Sequence, residues 1–89
     1  MQQLLNNCRV GKISVTPSNW KTVRADVTRT WFIKYRFYDD NTNKSKQVVI
    51  KGMNDYSTLK EKQDATKVLI DLEVDELKGG LNKITVVFH

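Results

Sequence analysis

The sequence predicts an α+β domain, a small antiparallel two- or three-stranded sheet packed on one C-terminal helix. Three observations predict it. Trp31-Phe32-Ile33-Lys34-Tyr35-Arg36-Phe37-Tyr38 has the side-chain period of two that a strand imposes. Gln47 to Lys51 is β-branched through Val48, Val49 and Ile50. From about Ser57 to Lys78 the apolar period becomes that of a helix, and Gly79-Gly80 then supplies the left-handed residue that ends one.

Residues 1–11 show no strong periodicity and are expected to form a flexible N-terminal segment. Lys12–Val15 alternates weakly, and Val23, Ala25 and Val27 alternate with Arg24 and Asp26 as an edge strand or an extended arm, so either segment can supply a third strand. Between them, Thr16-Pro17-Ser18-Asn19 is a turn signal. Trp31–Tyr38 is the strongest strand. It puts Trp31, Ile33, Tyr35 and Phe37 on an apolar face, and Phe32, Lys34, Arg36 and Tyr38 on a cationic, aromatic one. Asp39–Lys46 is a polar hairpin loop leading into the strand Gln47–Lys51, which Gly52 breaks. Thr58 and Glu61 have the spacing of a capping box at the helix start. One helix arc carries Ala65, Val68, Leu69 and Leu72, and an adjoining arc carries Leu59, Ile70, Val74 and Leu77. One sheet face needs a single stripe, so this helix is oversupplied. The expected contact joins Ile33 and Tyr35 to Leu69 and Leu72. Ile84–Phe88 is extended and apolar, and reads as the start of a linker to a further domain.

The chain has 89 residues, enough for one small domain, with the domain proper expected over 12–82 and a linker over 83–89. Cys8 is the single cysteine, which excludes an intramolecular disulfide and a Cys/His zinc site and fits a reducing cytoplasm. No apolar run approaches the roughly 18 residues of a membrane span. The net charge of +5 is unevenly spread. Residues 1–54 hold ten basic residues against three acids, and residues 55–89 hold five against seven. A one-sided distribution of this kind suits a polyanion.

The residues offer no catalytic constellation. His89 is the last residue, Cys8 has no histidine near it in sequence, and the glycines Gly11, Gly52, Gly79 and Gly80 read as turns and caps. Asp71, Glu73, Asp75 and Glu76 read as a solvated helix face with pairs such as Lys67–Asp71, since carboxylate metal sites draw on more than one element. No catalytic residue, metal or cofactor is therefore expected. Binding is left. One exposed lysine on a strand serves equally as a charge against edge-to-edge aggregation. Lys34, Arg36 and Lys51 on one face beside Phe32 and Tyr38 favour contact with a phosphate backbone, with Lys44 and Lys46 adding charge at the hairpin. A β-ribbon fits the DNA major groove.

The run from Pro17 to Thr85, about three quarters of the chain, resembles the N-terminal arm-binding region of tyrosine recombinases, the integrases of phages and conjugative transposons. The matching pieces are Pro17-Ser18-Asn19-Trp20-Lys21, Trp31 to Asp39, Val48-Val49-Ile50-Lys51-Gly52-Met53-Asn54, and Thr58 to Thr66. The exit Gly80-Leu81-Asn82-Lys83 stands where the family commonly has Gly-aromatic-Asn-Pro, with Lys83 departing from the proline. The resemblance implies a small sheet on a helix that grips double-stranded DNA at accessory arm sites, in the cytoplasm at the nucleoid. It implies that the catalytic residues lie in another domain, and that the partners are arm DNA and the other domains and protomers of a recombinase. Two other classes remain: a protein-interaction module using the stripe Ile70, Val74 and Leu77, and an RNA-binding domain stacking bases on Phe32 and Tyr38.

Overall fold

In the computed structural model, which describes residues 2–84, five strands precede one helix. The strands are β1 (Gln2–Gln3), β2 (Cys8–Val10), β3 (Ser14–Thr16), β4 (Phe32–Asp39) and β5 (Lys44–Ile50). A 3-10 turn (Gly52–Asp55) and the helix α1 (Leu59–Lys78) follow. Every strand pairing is antiparallel, so the α+β class holds. The sheet is wider than expected, because the N-terminal segment supplies β1 and β2 instead of remaining outside the fold. Of the two candidate third strands, the first contributes, as Ser14–Thr16. Val23–Val27 is turn and irregular backbone, and Val23 is 89% exposed. The apolar stretch expected over Ile84–Phe88 lies, beyond Ile84, outside the described residues.

The central strand is β4. β5 pairs along one edge of it, from Ile33↔Ile50 to Asp39↔Lys44. The other edge is shared end to end by β2, which faces Phe37, Tyr38 and Asp39, and β3, which faces Phe32, Ile33 and Lys34. Between the two, Gly11, Lys12 and Ile13 stand against only Tyr35 and Arg36. β2 and β3 are thus one strand with a one-residue bulge, anchored where Gly11 N–H donates to Arg36 C=O at 3.0 Å. The bulge has a clear consequence. Val10 and Val15 are an odd number of residues apart, so an unbroken strand would send them to opposite faces. With the extra residue, Val10 lies opposite Phe37 and Val15 opposite Ile33, both on the helix side.

The apolar face is buried as expected: Trp31, just before β4, and Ile33, Tyr35 and Phe37 on it are all covered. They divide between two clusters. Trp31, Ile33, Ala25 and Met53 pack with Leu59, Ala65, Leu69 and Ile70. Tyr35, Phe37, Cys8 and Val10 pack with Leu77. Ile13, next to the bulge, packs against both. The N-terminal half of α1 therefore serves the start of β4, and its C-terminal end serves the finish. Asn54 fixes that start: its side chain accepts from Trp31 N–H at 2.9 Å and donates to Trp31 C=O at 2.7 Å.

α1 begins at the Thr58–Glu61 pair read from the sequence, but only half of a capping box forms, since the Glu61 carboxylate meets the Thr58 hydroxyl and not its N–H. Thr58 Oγ1 accepts from Glu61 N–H at 3.2 Å and donates to the Glu61 carboxylate at 2.8 Å. It ends with Gly80 at φ 95°, while Leu81 N–H donates to Glu76 C=O and Gly80 N–H to Leu77 C=O. The helix is rotated from its expected setting. The buried line is Lys62, Thr66, Glu73 and Leu77. Leu72, expected in the core, is 55% exposed and Val68 equally so, while Leu69 is partly buried. The stripe Ile70, Val74 and Leu77, a candidate partner surface, faces inward, with Leu77 only 2% exposed.

Polar residues on the buried line are satisfied. Thr66 Oγ1 donates to Lys62 C=O at 2.7 Å. Glu73, read as a solvated carboxylate, accepts from the Tyr35 hydroxyl and from Lys83 Nζ at 2.7 Å. Burial, then the Glu73 bond, pushes the Tyr35 phenol far above its ordinary range. Burial works against the Lys83 ammonium, but its bonds to Glu73 and Glu76 outweigh that and raise its pKa. The i,i+4 ion pair formed on this helix is Lys60–Asp64 at 3.3 Å. Lys83, at the position that departs from the resemblance, pins the chain exit to the helix by charge.

Candidate nucleic-acid interface

The face of β4 turned away from α1 carries Phe32, Lys34, Arg36 and Tyr38, in the alternation the sequence predicts. Lys34 and Arg36 are exposed, and Phe32 and Tyr38 half-buried. Register places Ser14 and Thr16 of β3 opposite Lys34 and Phe32, and Arg9 of β2 opposite Tyr38. On β5 it places Val49 opposite Lys34, Gln47 opposite Arg36 and Ser45 opposite Tyr38. Antiparallel residues opposite each other share a face, so all of these belong to the one surface.

Lys12, Ser14, Lys34, Arg36 and Gln47 line a shallow depression of about 330 Å³ at the bulge, floored by Tyr35. Among the described residues, Lys12, Lys34, Arg36 and Gln47 form no side-chain hydrogen bond or ion pair. Lys34 Nζ lies 5.9 Å from the centre of the Phe32 ring. At the other end of the face, Arg9 is already engaged. Its guanidinium stacks 4.3 Å over the Tyr38 ring and its Nε meets Asp40 at 3.0 Å. The bond to Asp40 raises the Arg9 pKa against partial burial. Each aromatic ring thus has a cation beside it, which leaves less free ring surface for base stacking.

Of the other residues expected at this site, Lys51 directly follows β5, and Lys44 and Lys46 lie elsewhere. Lys51 is exposed, but follows the last residue of β5, at the entry to the 3-10 turn. Lys44 and Lys46 pair with Asp39 and Phe37, which puts them on the helix side of the sheet. Lys46 Nζ donates to Lys83 C=O at 3.5 Å. The reason is the strand period. Lys44, Lys46, Val48 and Ile50 share one face, and Val48 and Ile50 must point inward. Sequence reasoning missed Lys12 and Gln47. Gln47 could have been found by carrying the hairpin register back from Ile33↔Ile50, while Lys12 joins the face through the bulge.

Beneath the face, Asp39 is buried at the end of β4, where it accepts from Asn82 Nδ2 at 3.0 Å and Asn41 N–H at 2.9 Å. The Asn82 bond, helped by Asn41 and Thr42, holds its carboxyl below the ordinary 3.8 against the effect of burial. Burial, then Asp39 and Asp40, pushes the nearby Cys8 thiol up. No group of three or more His, Cys, Asp or Glu side chains suited to a metal forms among the described residues. No helix among them is long and apolar enough to cross a membrane. Comparison with protein-family models, with curated proteins and with solved structures gives no match for this chain.

Proposed function

We propose that this chain is a non-catalytic DNA-binding domain of a site-specific tyrosine recombinase, which lays its basic sheet face on duplex DNA at an accessory arm site. The observation that carries the reading is the set of unpaired cations, Lys12, Lys34 and Arg36, gathered on the face opposite the helix. Most of the acids lie on α1, on the other side of the molecule. Such polarity orients the domain toward a polyanion before contact. The recombinase identity rests on the resemblance of Pro17 to Thr85. In that setting the domain acts by tethering: holding one end of the recombinase on arm DNA raises the local concentration of its catalytic part at the crossover site. The domain and its DNA would lie in the cytoplasm, at the nucleoid.

Titration of the chain into labelled duplex DNA, duplex RNA and single strands across a salt series tests this. Duplex DNA should bind most tightly, with log affinity falling by roughly 0.9 per decade of salt for each phosphate neutralised. Lys34→Ala should lower that slope by about one unit and weaken all sequences alike, and Arg36→Ala should cost about 1–3 kcal/mol of affinity. The fold should survive both changes, since both side chains face solvent. A folded Lys12→Ala/Lys34→Ala/Arg36→Ala variant that binds DNA as the parent does would remove the sheet as the binding surface. Tighter binding to RNA would favour an RNA-binding domain instead.

A further inference from the structure

Three cross-strand pairs of β4 and β5 occupy the outer face: Lys34–Val49, Arg36–Gln47 and Tyr38–Ser45. Only Arg36–Gln47 sets two side chains with several hydrogen-bonding groups side by side. Both are exposed, both lack a partner among the described residues, and both line the depression at the bulge. Attraction to phosphate accounts for Lys12, Lys34 and Arg36. It does not account for Gln47, whose carboxamide carries no charge. A carboxamide is suited to a base edge, since it donates to N7 of adenine and accepts from its N6 amino group. The neighbouring guanidinium matches O6 and N7 of guanine in the same bidentate way.

We infer that Arg36 and Gln47 together read two adjacent base pairs in the major groove, a guanine by Arg36 and an adenine by Gln47, while Lys12 and Lys34 hold flanking phosphates. The inference rests on the DNA-binding reading above and deepens it by naming what the site recognises. The spacing fits. Paired strands lie roughly 4.7–4.9 Å apart and stacked bases about 3.4 Å. The flexible stems of arginine and glutamine span that difference. The central position of β4 in the sheet brings this pair to the middle of the face, with Lys34 and Lys12 beside it.

Selection from a duplex DNA pool with a randomised core, using the whole 89-residue chain, tests the inference. The parent should enrich guanine and adenine at adjacent positions. Gln47→Ala should lose the adenine preference, by roughly 5- to 150-fold, while keeping the guanine preference and the parent's salt slope. Gln47→Arg should replace the adenine by guanine. Circular dichroism of each variant confirms that it is folded. The inference is overturned if Gln47→Ala keeps the adenine preference or flattens the salt slope, because the side chain would then be idle or bound to the backbone. Steeply salt-dependent binding by the parent without base preference overturns this inference alone. Absence of salt-dependent duplex binding overturns it together with the DNA-binding reading.

Discussion

Deleting Lys12 should leave the fold standing, whereas deleting Ser14, two residues away, should remove a large part of its stability. With Lys12 removed, the chain reads Cys8, Arg9, Val10, Gly11, Ile13, Ser14, Val15, and its period of two becomes perfect. Cys8, Val10, Ile13 and Val15 all point to the helix side, and both ends keep their present partners on β4. No buried apolar area is given up, so stability should change by under about 1 kcal/mol, a shift within roughly 8 °C for a domain of this size. With Ser14 removed, closing the bulge turns Ile13 outward and Lys12 inward. Ile13 is half-buried, so expelling it costs about 1–2 kcal/mol, less than full burial would. Turning Lys12 inward in its place costs about 1–3 kcal/mol more. The sum, about 2–5 kcal/mol, is a large part of the stability of an ordinary domain of this length, roughly 4–13 kcal/mol. Thermal unfolding followed by circular dichroism should place the Ser14 deletion about 8 °C or more below the parent, with the Lys12 deletion above it. Equal melting temperatures would refute the bulge as the device that sets the register. As a second readout, the Lys12 deletion should flatten the salt dependence of DNA binding by about one phosphate contact.

Two further outcomes are expected. Leu77→Ala should cost about 2–5 kcal/mol in urea unfolding, because the side chain closes one of the two clusters. Leu72→Ala should stay within about 0.5 kcal/mol, because Leu72 faces outward; the reverse order would restore the helix setting expected from sequence. Asp39 should make stability acid-sensitive. Its folded carboxyl titrates below its ordinary value, so the unfolded chain takes up the proton first. The stabilisation is complete above the unfolded value near 3.8 and is lost as pH falls through the lower folded one. Asn82→Ala, which removes the main cause of the shift, should flatten the decline of the urea midpoint between about pH 5 and 2; an unchanged decline would show that other carboxylates set it.

The local patterns determined much on their own. β4 alternates over its whole length, so its two faces, and with them Lys34 and Arg36, follow from the period of two. The helix start follows from Thr58 and Glu61, and its end from Gly80, because each cap is made within one turn of chain. The N-terminal strands were hidden, because the bulge shifts the phase between Val10 and Ile13 and cancels the alternation on either side of it. Only pairing with β4 decides that the extra residue is Lys12, and hence that Lys12 joins the basic face. The helix setting was hidden for a different reason. Its buried line includes Thr66 and Glu73, which a hydropathy pattern assigns to solvent. They go inward because Thr66 bonds its own helix backbone, and because Glu73 meets the Tyr35 hydroxyl and the Lys83 ammonium. The partners of Glu73 lie 38 and ten residues away in the chain, and only the folded structure brings them together.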